Sequence, residues 1–115
     1  MLLLYADTTQ APNYTPEEGR AAMQSWFDLV AGMKAAGVYL SNEGLSSATS
    51  ATTVRVRNGE TMTSDGLSVE TGEPLGGYIL LNCKDRDEAV SWAAKVPYAT
   101  FGSVEVRPVI NYPEG

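Results

Sequence analysis

Residues 77–97 read GYILLNCKDRDEAVSWAAKVP, and this stretch decides the fold. Tyr78 to Leu81 are apolar at consecutive positions, the pattern of a strand covered on both faces. Asp85-Arg86-Asp87-Glu88 then offers a capping carboxylate with a glutamate three residues later, the start of a helix. Ala89, Val90, Trp92, Ala93 and Val96 follow at helical spacing until Pro97 stops the run. A strand passing directly into a capped helix is the first part of a β-α-β unit.

The same grammar recurs on either side. Leu2-Leu3-Leu4-Tyr5-Ala6 is a second strand apolar at consecutive positions. Thr15-Pro16-Glu17-Glu18 places a capping hydroxyl, a proline at the first helical position and a glutamate three residues after the cap. Ala22, Met23, Trp26, Phe27, Val30 and Met33 then recur every three or four residues, and Gly37 closes the helix. Trp26 and Trp92 are read as core packing rather than as a binding cage. Further strands are expected at 38–45, 52–57, 60–64 and 102–110, with the strands of the opening stretches at 2–6 and 77–83. Asn58-Gly59 joins two of them as a two-residue hairpin turn. Ser46 to Thr53 (SSATSATT) reads as a loop running into a strand. The last strand alternates: Val104, Val106 and Ile110 point one way, Ser103, Glu105 and Arg107 the other, and Pro108 suits an edge. The expected architecture is α+β: a ferredoxin-like β-α-β-(β-hairpin)-β-α-β chain with an antiparallel sheet and both helices on one face. No linker or repeat divides residues 1–115, which form a single domain.

Composition narrows the function. A net charge of −6 disfavours nucleic acid and anionic membrane surfaces as partners. The opening apolar run lacks a basic leader and is too short for a signal peptide's core or a membrane span. The chain has no histidine and one cysteine, so no Ser-His-Asp or Cys-His pair and no ordinary zinc shell can be assembled. Cys83 ends an apolar run and is expected to be a buried, inert thiol, in keeping with a reducing cytoplasm. No metal or cofactor is signalled; Gly76-Gly77 is not a phosphate loop.

Two helices cover only one face of such a sheet. The other face of Leu2-Leu3-Leu4 and Ile79-Leu80-Leu81 needs a partner, and a two-fold homodimer is the usual solution. A partly open face with a few wet apolar groups is the alternative.

MLLLYAD, TPEE, AAGVYL, ATTVRVRNG, TSDG…ETGEPLGGYILL, EAVSWAAKVP and GSVEVRPV, in this order, closely resemble the YCII-related proteins of the DGPF type. The single motifs are weak and their combination is specific. The resemblance implies a dimeric α+β barrel in which two sheets face each other around a cleft. It also implies a bacterial protein of unassigned activity, in some cases encoded near extracytoplasmic-function sigma factors. The chain departs from the pattern at Leu67-Ser68, where the signature has Pro-Phe, and at Gly72, where a lysine is usual. The His-Asp pair ascribed to related YCII proteins has no counterpart here.

Asp65 and Glu70, carried over from the DG…ET motif, are the candidate catalytic residues, one ionised as base and one protonated as acid. Asp65-Gly66 is equally an ordinary turn dipeptide. Tyr5, Tyr78, Glu105 and Arg107 are candidate ligand-binding residues of the cleft. Interfacial packing accounts equally for the tyrosines, and a surface ion pair for Glu105 with Arg107. Two functions follow. One is a small-molecule binder or isomerase- or lyase-like enzyme that moves a proton beside a carbonyl. The other is a non-enzymatic accessory or regulatory protein.

Overall fold

The computed structural model describes residues 1–7 and 13–111. Its elements run β1 (Leu2–Tyr5), α1 (Pro16–Ala35), β2 (Tyr39–Gly44), β3 (Thr52–Arg57), β4 (Glu60–Asp65), β5 (Leu75–Leu81), α2 (Arg86–Ala93) and β6 (Ser103–Val106), with single 3-10 turns at Ala48–Ser50 and Pro97–Thr100. Both helices start at their capping residues. Thr15 Oγ1 accepts from Glu18 N–H at 3.1 Å and Asp85 Oδ1 accepts from Glu88 N–H at 2.9 Å. Glu88 reaches back to accept from Lys84 N–H at 2.9 Å, so donors on both sides of the helix start are satisfied.

Four strands form one antiparallel sheet in the order β2-β5-β1-β6. The two strands that are apolar at consecutive positions are the central ones, and alternating β6 is an edge, as its pattern requires. This is the ferredoxin-like arrangement. β6 is shorter than the expected 102–110, because Pro108 has no N–H to continue the ladder.

Register assigns the faces. Leu2 stands opposite Ile79 and Val106, and Leu4 opposite Gly77 and Val104. These residues meet Leu29, Met33, Val38, Ala93 and Val96 in one core, with Trp26 and Trp92 packed against it. Met33 and Ile79 are fully buried, at 0% exposure. The stripe on α1 is wider than the sheet beneath it: Met23 and Phe27, expected to face inward, are exposed, and Leu29 is buried instead. On the opposite face Leu3 pairs with Tyr78 and Glu105, and Ser41 with Leu80. Among the described residues no helix lies on that face, and Leu3, Tyr5, Tyr78 and Leu80 are only half-buried within the single chain.

Among the described residues β3 and β4 pair only with each other. Asn58 and Gly59 both take positive φ, 53° and 76°, the geometry of the turn that their identities announce. Of the twelve residues in the two strands only Thr53 is not exposed. The hairpin is an arm, and it contributes to a radius of gyration of 16.7 Å where a compact chain of this size has about 13 Å.

Candidate functional site

The uncovered sheet face gathers three of the residues singled out from sequence: Tyr5 on β1, Tyr78 on β5 and Glu105 on β6. Arg107 lies just beyond β6 and borders a cavity shared with Asp85, Arg86 and Ala89 at the start of α2. Tyr5 OH makes a long hydrogen bond of 3.5 Å to Glu105 Oε2. Beside it Ser103 Oγ reaches Glu73 Oε2, also at 3.5 Å. Leu3 and Leu80 supply an apolar floor between these polar groups. A surface that is apolar at its centre and carries tyrosine hydroxyls and carboxylates at its rim suits a partner surface, or a ligand held between two such surfaces.

Asp65 and Glu70 sit elsewhere. Asp65 is the last residue of β4, opposite Thr52 at the root of the arm, and Glu70 lies in the loop that returns to β5. Both are exposed. The turn between them is anchored to β3: Thr53 Oγ1 donates to the Gly66 carbonyl at 2.7 Å, and the Arg55 guanidinium donates to the Ser68 carbonyl at 3.0 Å. Leu67, standing where the resemblance places a proline, forms part of the wall of a cavity under the 45–51 loop. The sequence reading did not single out this cavity. An adjoining cavity under the same loop is bordered by Tyr98 lying against Gly76, a contact between distant segments that leaves no periodic trace in either.

Among the described residues no three Cys, Asp or Glu side chains are gathered closely enough to hold a metal ion. No described helix is long and apolar enough to cross a membrane. Cys83 is half-buried at the edge of the core. Burial pushes its thiol up, and the neighbouring Glu88 carboxylate adds to the shift through its charge and a hydrogen bond. The thiol therefore stays protonated to higher pH than a free cysteine, and the nucleophilic thiolate is scarce. Iodoacetamide at pH 8 should alkylate Cys83 more slowly in the folded chain than in the urea-unfolded chain, followed by mass spectrometry. Equal rates would contradict this environment.

Comparison with known proteins completes the picture. The model of the YCII-related domain family matches residues 1–113. An uncharacterized protein of Rhizobium meliloti (strain 1021) is 33% identical over 116 residues, spanning 99% of this chain and 94% of that protein.

Proposed function

The chain belongs to the YCII-related domain family, and on that premise we propose that it is a homodimer whose facing sheets enclose a cleft for a small molecule. Within the family we infer the DGPF type, on the DG…ET spacing at residues 65–71 and despite Leu67-Ser68. The observation that carries the reading is the uncovered sheet face, where Leu3, Tyr78 and Leu80 lie beside Tyr5 and Glu105, with Arg107 just past the end of β6. Two such faces brought together about a two-fold axis hide the apolar centres and leave the polar groups along the cleft. Arg107 then offers a fork for a carboxylate or enolate oxygen. Asp65 and Glu70 lie off this face, so for either to act as the base that moves a proton beside a carbonyl, the dimer must bring the root of one protomer's arm to the cleft.

A second reading, a non-enzymatic accessory protein, is favoured by the arm. Val54 and Val56 share its face with Thr61 and Thr63, and both valines are more than half exposed. An isolated two-stranded hairpin is marginal in water and gains from a surface to lie on.

Asp65→Asn and Glu70→Gln preserve shape and remove charge, which separates the two readings. Each should change stability by no more than about 1 kcal/mol, as at exposed positions generally. At least one should weaken binding of a carbonyl ligand selected by thermal-shift screening. Strong destabilisation by both substitutions with unchanged binding would reduce Asp65 and Glu70 to turn residues and favour the accessory reading.

A further inference from the structure

The geometry points to a separate small-molecule site, independent of the sheet cleft: a trough beneath the 45–51 loop that takes a compact, uncharged ligand on the hydroxyl of Tyr98. The loop leads from β2 to β3 and is tied down. Leu45 N–H donates to the Gly76 carbonyl at 2.9 Å, and Ser50 N–H donates to the Ser47 carbonyl at 2.9 Å. Ser47 Oγ accepts from Thr49 N–H at 3.3 Å and lies 3.0 Å from Thr49 Oγ1. Beneath the loop two adjoining cavities of about 400 and 350 Å³ share Leu45, Ser46, Ser47, Ala48 and Leu75 as walls. Each has the size of an ordinary small-molecule pocket, about 300–1,000 Å³.

Tyr98 sets the polar character of the trough. It follows α2 and packs against the core, so it reaches the trough from the helix side of the sheet. Its ring lies 5.4 Å from that of Phe101, between centroids. A Cβ at position 76 would stand 2.8 Å from the Tyr98 hydroxyl oxygen, so only glycine leaves the hydroxyl its place. Among the described residues this hydroxyl has no hydrogen-bond partner, and it borders the larger cavity. The hydroxyl is open to solvent, so a ligand oxygen replaces its water while the neighbouring apolar walls cover the rest of the ligand.

The described lining contains no Asp, Glu, Lys or Arg side chain. A carboxylate or ammonium entering the trough would give up water and meet no opposite charge, which disfavours charged ligands. Leu45, Leu75 and Ala6 provide apolar contact, while Tyr98, Ser47 and Thr49 provide hydroxyls. The class selected is a small neutral molecule with a ring or short chain and a hydroxyl or carbonyl oxygen.

Phenol and benzoate, titrated separately into ¹⁵N-labelled protein, test the site. Phenol should shift the amides of Leu45, Thr49 and Gly76 saturably and leave those of Leu3 and Glu105 in place. Tyr98→Phe, which removes only the hydroxyl, should weaken phenol about fivefold. Gly76→Ala, which displaces the hydroxyl, should weaken it at least as much. Benzoate should bind at least about tenfold more weakly than phenol. Absence of saturable shifts, unchanged affinity in Tyr98→Phe, or benzoate binding as tightly as phenol would overturn the proposal. Shifts centred on Leu3 and Glu105 would assign the probe to the sheet cleft and overturn it equally.

Discussion

Ile79→Asp should leave the chain unfolded at room temperature. Ile79 is 0% exposed and stands opposite Leu2, in contact with the core formed by Leu29, Met33 and Val96. Aspartate there removes an apolar side chain from the centre of the domain and leaves a carboxylate without a cation. Each effect costs several kcal/mol, and together they approach the roughly 5–15 kcal/mol of stability a domain of this size possesses. Circular dichroism should show no cooperative thermal transition. A melt close to that of the unmodified protein would mean that Ile79 does not face the helices.

The neighbouring substitution should do something different. Leu80 points to the uncovered face, so Leu80→Asp spares the core and acts on association. In a two-fold dimer the new charge enters twice, facing an apolar surface that carries its own copy. Dimer affinity should fall by about two orders of magnitude or more, the usual loss when a central interface residue is replaced by an uncompensated charge. The thermal transition should survive, and sedimentation should report monomer at concentrations where the unmodified protein is dimeric. Loss of folding with Leu80→Asp, matching Ile79→Asp, would contradict the assignment of the two faces.

That contrast depends on a register which the sequence leaves open. Five successive apolar residues from Tyr5 back to Met1, and four from Tyr78 to Leu81, establish that both faces matter without saying which side meets the helices. The capping boxes at Thr15 and Asp85 were legible because a cap is a local arrangement of three or four residues. Asn58-Gly59 was legible for the same reason: both positions must adopt positive φ. The alternation of β6 identified an edge strand, though its ladder ends where Pro108 withdraws a donor.

Long-range relations were less accessible. Periodicity groups Met23 and Phe27 with Trp26 and Met33, but how wide a stripe the sheet can cover is a property of the assembled layers. Tyr5 and Glu105, distant in sequence, meet because β6 pairs with β1. The contact of Tyr98 with Gly76 depends on the path of the chain after α2, and neither residue has a neighbour that announces it. Asp65 and Glu70 were proposed from motif likeness alone, and the structure sets them at the root of an arm rather than on the sheet face.

In the proposed dimer a second copy of the chain covers the uncovered sheet face. Sedimentation equilibrium of the unmodified protein across micromolar concentrations tests it most directly. A single species of twice the 12.3 kDa chain mass is expected, and a stable monomer throughout that range would rule the dimer out.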